Sequence, residues 1–161
     1  MKYKMIVLDL DGTLTNNKKL ITPHTQQALM LAQTAGVHVV LASGRPTYGI
    51  VPLAEELKLK ENNGYILAFN GGKIIDCTNN NVLFEQKLDE QLVPLLYQEA
   101  KKANMEILTY QGEGIAATNK DDKYVQHEAF INKMPVMQYD DFLHQLVYPI
   151  NKCLIVGNPT P

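Results

Sequence analysis

The order of apolar and polar positions predicts alternating strands and helices in the first half of the chain. Tyr3–Leu10 is an apolar, β-rich run that we interpret as a buried strand. Thr22 and Pro23 are typical of a helix start, and an apolar stripe at helical spacing follows until Gly36. Val37–Ala42 is a second predicted strand. Because a strand–helix–strand crossover makes the two strands parallel, both should end at the same edge of one sheet.

The same alternation continues to a third strand. A helical stretch runs from Pro46 to about Leu59, with a kink or break expected at Pro52, and Tyr65–Phe69 is the next apolar strand. This pattern predicts an α/β fold with a partial Rossmann-like parallel-sheet core. A core with three parallel strands would leave one side of its sheet uncovered, so we expect poor autonomous stability or self-association through that side.

The pattern changes after the third strand. Lys73–Leu88 is predicted to be a hairpin, and the residues from Asp89 onward resemble a separate, incomplete α+β layer. The expected domains are therefore residues 1–88 and 89–161. Residues 157–161 carry no helix or strand signal and are interpreted as a loop in progress. The elements expected in the second domain are helices at 89–103, 121–132 and 140–147 and strands at 105–110, 115–118 and 153–156.

Composition and charge narrow the classes of protein that fit. Among the 161 residues, 45% are hydrophobic and 20% are charged, and the net charge of −2 gives no positive field that would recruit nucleic acid or anionic lipid. No apolar run approaches the ~20 residues of a membrane span, and the N-terminus lacks the features of a signal peptide, so the expected location is the cytoplasm. Cys77 and Cys153 are far apart in sequence and are interpreted as buried thiols.

Two acidic residues mark the end of the first strand. Asp9 and Asp11 flank Leu10, a spacing that could aim both carboxylates at one point, and Gly12 would let the backbone approach a ligand closely. Clustered carboxylates favour a divalent cation such as Mg²⁺. With that cation present, one acid can stay ionised as ligand and nucleophile while its neighbour holds or shuttles a proton. The alternative is that one of the acids simply caps a turn.

The second strand ends in Ser43, Gly44 and Arg45. Arg45 is the single arginine among 15 cationic residues. Because a guanidinium binds phosphate or carboxylate through two parallel hydrogen bonds, we interpret Arg45 as an anion-recognition residue. The alternative is a surface arginine that pairs with Glu55 or Glu56.

Other residues at the strand ends could donate hydrogen bonds to the same anion. The Ser43 hydroxyl and, after the third strand, the Asn70 side chain and the Gly71 amide could each donate a hydrogen bond. Ligands of open α/β sheets lie outside the carboxyl ends of the strands, where these polar residues should converge. The chemistry that this arrangement predicts is the handling of a phosphoryl group on Mg²⁺.

Three motifs together carry a resemblance to a known family. DLDGTL at 9–14, LASGRP at 41–46 and FNGG at 69–72 resemble the haloacid dehalogenase superfamily, specifically its Cof-type sugar-phosphate phosphatases with a large α/β cap. The resemblance covers the whole chain, with the core to about Leu88 and the cap from Asp89. It implies a Mg²⁺-dependent hydrolase of small phosphorylated metabolites, with sugar phosphates as the favoured class.

The resemblance also implies roles for individual residues. Asp9 would be the nucleophile that becomes an aspartyl-phosphate and binds Mg²⁺ through its side chain. Asp11 would protonate the leaving alkoxide, then activate water, and offer its backbone carbonyl to Mg²⁺. Ser43 would hydrogen-bond the phosphoryl group, and Arg45 with the Asn70-Gly71 turn would line the substrate entrance.

One departure from the family pattern leaves alternatives open. The family places a lysine motif and an acidic motif after the cap, and neither occurs in this sequence, so we expect the natural chain to extend beyond Pro161. Asp121-Asp122 and Asp140-Asp141 are interpreted as helix N-caps rather than as substitutes. A non-catalytic phosphate- or metal-binding protein remains an alternative. A receiver-like phospho-aspartate module is disfavoured, because its phosphorylated Asp would follow the third strand, where Asn70 stands.

Overall fold

The computed structural model describes residues 3–158, and the chain divides between Glu85 and Gln86 into two compact units. Residues 86–88, which the sequence assigned to the first domain, belong to the second unit, where the Leu88 amide donates to the Ile150 carbonyl at 2.9 Å. Gly157 and Asn158 have no regular structure, and the rest of the loop expected at 157–161 lies outside the described residues. Among the helices of residues 3–158, none is long and apolar enough to cross a membrane.

The first unit is a five-stranded sheet with two helices, and it confirms the predicted α/β class. The elements are β1 (Met5–Asp9), α1 (Pro23–Thr34), β2 (His38–Ala42), α2 (Thr47–Glu56), β3 (Tyr65–Ala68), β4 (Lys73–Asp76) and β5 (Asn81–Glu85). The sheet has the order β1-β2-β3-β4-β5. The pairs β1/β2 and β2/β3 are parallel, whereas β3/β4 and β4/β5 are antiparallel.

The two helices form for local reasons that the sequence largely predicts. The hydroxyl of Thr22 caps α1 by accepting from the Thr25 amide at 3.3 Å. At Pro52 the sequence predicted a kink or a break. The break is wrong, because α2 continues through this residue to Glu56. Proline removes one helical hydrogen bond, but the burial of Ile50 and Leu53 against the sheet compensates for that loss.

The core of this unit lies on the side of the sheet that the helices cover. Leu29 of α1 and Ile50 of α2 belong to the same buried cluster as Val39 and Leu41 of β2. Every second residue of β1 is exposed, and Val7 keeps 56% of its surface in contact with solvent. One face of β1 is therefore uncovered within the part of the chain that is described, and self-association through it stays a prediction.

The second unit is a four-stranded sheet with helices packed on it. The elements are α3 (Leu92–Lys102), β6 (Glu106–Gln111), β7 (Gly114–Ala117), α4 (Lys123–Asn132), β8 (Val136–Gln138), α5 (Phe142–Gln145) and β9 (Cys153–Val156). The strand order is β8-β7-β6-β9, with β6/β7 and β6/β9 antiparallel and β7/β8 parallel. The short strand β8 was not predicted from the sequence.

Helices cover both faces of this second sheet. Ile107 of β6 belongs to the cluster that contains Val93 of α3 and Phe142 of α5, whereas its neighbour Leu108 belongs to the cluster that contains Val125 of α4. Successive strand residues point to opposite faces, so α4 lies on the face opposite to α3 and α5. The capping role predicted for the acidic pairs is confirmed, since Asp122 and Asp141 accept from backbone amides at the starts of α4 and α5.

Candidate active site

Three loops meet at the carboxyl ends of β1, β2 and β3. Hydrogen bonds between backbone atoms fasten the second loop to the third: the Asn70 amide donates to the Ser43 carbonyl at 3.1 Å, and the Phe69 amide donates to the Arg45 carbonyl at 2.9 Å. Because β1 is paired in parallel with β2, its last residue, Asp9, lies beside Ala42 at the same edge. The topology thus gathers the polar strand ends, as parallel pairing predicts.

A cleft of about 360 Å³ opens at this edge. It brings together five of the residues selected from the sequence. Asp11, Gly12 and Arg45 do not line it, and they lie on the loops beside it. The lining residues are Asp9, Ala42, Ser43, Gly44, Leu67, Asn70 and Gly71.

The glycine at position 44 leaves room for the side chain of Asn70 from the third loop. A Cβ atom there would lie 3.1 Å from Nδ2 and 3.3 Å from Oδ1 of Asn70, which is tighter than an ordinary contact. The third loop is itself unusual, because Phe69 and Asn70 both have positive φ angles, of 54° and 59°. Consecutive left-handed residues other than glycine are costly, and such backbone is concentrated at functional sites.

The loop after β1 folds back on itself and places Asp9 at the cleft. The Leu14 amide donates to the Asp9 carbonyl at 3.1 Å, and Gly12 allows the sharp reversal with a φ of 86°. The Thr13 hydroxyl donates to the Asp9 carboxylate, 3.4 Å from Oδ2. Asp9 is exposed, so its carboxylate is accessible from solvent.

Asp11 has a different environment, because two cations hold its carboxylate. Arg45 donates from Nη2 to Oδ1 at 2.6 Å and from Nε to Oδ2 at 2.8 Å, a two-pronged arrangement. Lys19 donates from Nζ to the same Oδ1 at 2.7 Å. We call this group of three side chains the Asp11 clamp.

The Asp11 clamp keeps the Asp11 carboxyl ionised. The hydrogen bonds from Arg45 are the largest influence, and the pairing with Lys19 adds to them. Together they outweigh the partial burial, which acts in the opposite direction, and hold the pKa of Asp11 at about 2 instead of 3.8.

The surroundings of Arg45 correct one interpretation made from the sequence. Arg45 is 7% exposed and pairs with Asp11, so the alternative of a surface arginine bound to Glu55 or Glu56 is wrong. Its remaining nitrogen, Nη1, donates to the Gly49 carbonyl at 3.1 Å. The guanidinium is therefore bound within the chain, and the role predicted for Arg45 at the substrate entrance stays a prediction.

Ser43 lines the cleft, and its predicted role as a hydrogen-bond donor to an anion stays a prediction. The side chain is buried, and its Oγ accepts from the Arg45 amide at 3.2 Å. Because this oxygen acts as an acceptor in that bond, its own proton can be directed toward the cleft.

Lys19 and Thr13 are the two site residues that sequence reasoning missed. Thr13 lies inside the motif that was recognised, and its hydroxyl could have been identified from its position four residues after Asp9. Lys19 carries no comparable signal, because it is one of 14 lysines and reaches Asp11 through the shape of a turn eight residues away.

The residues present fit a Mg²⁺ ion held by few protein ligands. Magnesium usually takes one or two carboxylates and completes its shell with water and with phosphate oxygens of the substrate. The accessible carboxylate of Asp9 meets that requirement. The Asp11 side chain does not, since the two cations Lys19 and Arg45 already compensate its negative charge. Among the residues at 3–158, no group of three or more acidic, histidine or cysteine side chains could hold a metal.

The cysteines are unsuited to nucleophilic chemistry. Cys77 is buried and Cys153 is partly buried, and both are free thiols. Burial raises the pKa of each thiol to about 11.

Comparison with known proteins identifies the family. The model of the haloacid dehalogenase-like hydrolases matches residues 6–160, so this chain belongs to that family. A crystal structure of a haloacid dehalogenase-like hydrolase from Bacteroides thetaiotaomicron superimposes with a TM-score of 0.91 at 51% identity, over 98% of this chain and 59% of that one. The expected resemblance and the Rossmann-like α/β class are thereby confirmed.

Two curated relatives are longer than this chain. A Streptococcus pyogenes serotype M6 protein is 32% identical over 139 residues, which is 84% of this chain and 51% of that protein. The 5-amino-6-(5-phospho-D-ribitylamino)uracil phosphatase YcsE of Bacillus subtilis is 39% identical over 85 residues, 53% of this chain and 32% of YcsE. The match thus spans about half the length of the first relative and about a third of the length of the second.

Proposed function

We propose that this protein is a Mg²⁺-dependent phosphomonoester hydrolase that acts on small phosphorylated metabolites through an aspartyl-phosphate at Asp9. The observation that carries the proposal is the cleft at the sheet edge. There the accessible Asp9 carboxylate shares the lining with Ser43, Asn70 and Gly71. A nucleophile and several hydrogen-bond donors around one small opening are what phosphoryl transfer requires.

In the proposed first step, a carboxylate oxygen of Asp9 attacks phosphorus and the bond from phosphorus to the ester oxygen breaks. The electron pair of that bond leaves with the alkoxide, which must gain a proton. Ser43 and Asn70 would orient the phosphoryl oxygens. Mg²⁺, held by the Asp9 carboxylate and the backbone carbonyl of Asp11, would offset the negative charge that otherwise repels the nucleophile.

In the proposed second step, the water oxygen bonds to phosphorus, the bond from phosphorus to the Asp9 oxygen breaks, and inorganic phosphate leaves, while Asp11 takes a proton from the attacking water. The Asp11 clamp leaves the carboxylate ionised and so able to accept a proton, while its lowered pKa makes it a weaker base than a free aspartate. In the first step Asp11 can deliver a proton to the alkoxide only after it has taken one from solvent, which Lys19 and Arg45 disfavour. Substrates with stable leaving groups should therefore need Asp11 least.

The substrate class is proposed from a relative. YcsE acts, by its name, on a phosphorylated ribityl compound, and its similarity covers 53% of this chain. A small phosphorylated polyol or sugar fits a cleft of about 360 Å³ at the end of a sheet. We assign the first unit, which carries this cleft, as the partial phosphatase core and the second unit as a partial cap.

The variant Asp9→Asn tests the nucleophile. We expect hydrolysis of p-nitrophenyl phosphate in the presence of Mg²⁺ to fall at least about a thousandfold, because the amide cannot form the phosphoryl intermediate. The midpoint of urea unfolding should not change, since Asp9 is exposed. Release of inorganic phosphate by the protein at its natural length measures the turnover.

The matched control is Asp121→Asn, an exposed aspartate on the second unit, which should keep wild-type turnover. Chelation with EDTA should remove activity, and added Mg²⁺ should restore it. An Asp9→Asn protein that is as active as the control would exclude the aspartyl-phosphate.

A further inference from the structure

We propose that Lys19 is a positioning residue for Asp11 that fixes which carboxylate oxygen handles the proton; this inference rests on the proposed function. A carboxylate oxygen has about two acceptor sites. Oδ1 of Asp11 accepts from Lys19 Nζ at 2.7 Å and from Arg45 Nη2 at 2.6 Å, so both of its sites are taken. Oδ2 accepts from Arg45 Nε at 2.8 Å and keeps one site open. Oδ2 is then the oxygen that exchanges a proton with the leaving group or with water.

Arg45 alone would not make this distinction. A guanidinium that binds both oxygens leaves one acceptor site on each, so either oxygen could take a proton. Lys19 removes that equivalence because it occupies the second site of Oδ1. Its side chain is 21% exposed, which leaves it partly shielded from water in this contact.

The turn that carries Lys19 is built to aim its side chain. The Asn16 side chain accepts from the amides of Lys18 at 2.8 Å and Leu20 at 3.2 Å. The Asn16 amide also donates to the Leu20 carbonyl at 3.0 Å, which closes the turn. Five consecutive residues are thus held in one shape.

Lys19 itself pays a conformational cost in this turn. Its φ of 60° lies in the left-handed region, which is unfavourable by about 1 kcal/mol or more for a residue with a side chain. Strained residues persist where surrounding contacts require them, and they are concentrated at functional sites. The contact that Lys19 gains from this conformation is the one with Asp11.

Lys19→Met tests the inference through the dependence on the leaving group. The value of kcat/KM reports the steps up to loss of the alcohol, and p-nitrophenolate leaves without a proton, whereas an alkoxide does not. We expect kcat/KM to fall about tenfold for the alkyl ester, because the loss of a fixed Asp11 orientation outweighs its easier protonation, and to stay within about twofold for p-nitrophenyl phosphate. The alkyl ester is whichever of glycerol 3-phosphate, ribose 5-phosphate and glucose 6-phosphate the wild type hydrolyses fastest.

Two variants control this experiment. Lys18→Met removes a neighbouring exposed lysine and should leave both rates unchanged. Lys19→Arg keeps a cation at the same place and should recover most of the alkyl-ester rate. If Lys19 had a merely structural role, Lys19→Met would lower kcat/KM equally for the two substrates.

Each other outcome overturns the inference in a recognisable way. Equal rates for Lys19→Met and Lys18→Met on both esters, or a faster alkyl-ester reaction in Lys19→Met, would show that Lys19 does not position Asp11. If the wild type hydrolysed p-nitrophenyl phosphate and none of the three alkyl esters, Asp11 would not be delivering a proton to the leaving group. No wild-type turnover of any ester would refute the proposed function, and the inference with it.

A second measurement does not depend on turnover. In urea unfolding, Lys19→Met should change the equilibrium constant by about threefold in the wild-type background, within the usual range for a partly exposed ion pair. The same substitution should have no effect in the Asp11→Asn background, because the partner charge is gone. An equal effect in both backgrounds would show that the pair does not form in solution.

Discussion

Lowering the pH should remove the stability that Asp11 contributes to the folded protein. Its pKa is about 2 in the folded state and 3.8 in the unfolded reference state, so the unfolded chain takes up the proton first. The contribution is fully present above about pH 5, decreases as the pH falls through 3.8, and is lost below about 2. The folded protein therefore becomes less stable with acid over this interval.

The magnitude follows from the size of the shift and from exposure. The difference between 3.8 and about 2 corresponds to roughly 2 kcal/mol at about 1.4 kcal/mol per pKa unit. The Asp11 side chain is 34% exposed, so water and salt screen its two ion pairs. We expect about 1 kcal/mol to remain after this screening.

Urea unfolding of the wild type and of Asp11→Asn, between pH 7 and pH 2, measures this contribution. The wild type should be about 1 kcal/mol more stable than the variant at pH 7, and the two curves should converge toward pH 2. Asp121→Asn is the control for loss of an exposed carboxylate, and its difference from wild type should be small throughout.

Parallel curves for the wild type and Asp11→Asn across the whole range would refute the reasoning. They would show that Asp11 titrates alike in the folded and unfolded chain, and hence that Arg45 and Lys19 do not bind it in solution. Added salt gives a further check, because screening should reduce the difference at pH 7.

One substitution and one chemical modification test the packing of the two units. Gly64→Ala should lower the free energy of unfolding by about 2 kcal/mol, since the new Cβ would lie 2.8 Å from the Cβ of Leu59 and 2.9 Å from the Val39 carbonyl oxygen; an unchanged urea midpoint would contradict this. Cys77 and Cys153, each with a pKa raised to about 11 by burial, should react with Ellman's reagent at pH 8 about a hundredfold more slowly than in the unfolded chain. Equal rates in the native and unfolded protein would exclude burial.

The parallel core was predictable because its signals are local. Thr22 caps α1 and Gly36, with a φ of 82°, follows its end, as the sequence indicated. Strand β8, in contrast, is three residues long and is held by pairing with β7, where Val136 lies opposite Ile115. A strand that depends on its partner leaves almost no periodic pattern of its own.

The site was predictable as a set of strand ends but not as a set of contacts. Asp9 and Ser43 line one cleft because parallel strands end at one edge. The partner of Arg45 could not be deduced, since a guanidinium binds a carboxylate of the same chain as readily as a phosphate. Lys19 reaches Asp11 because of a left-handed turn, and that conformation is set by the Asn16 side chain rather than by any pattern around the lysine.

The turn after β3 also affects how the protein ages. Asn70 precedes Gly71, and asparagine before glycine loses its side-chain amide most readily, because glycine has no side chain to hinder attack by its nitrogen. Deamidation of Asn70 would add a carboxylate to the cleft that Asp9 already makes negative, and phosphate esters would then be repelled. The hydrogen bond from the Asn70 amide to the Ser43 carbonyl restrains the backbone movement that this reaction needs. How long the cleft keeps this neutral amide therefore depends on how firmly the turn at Asn70 keeps its shape.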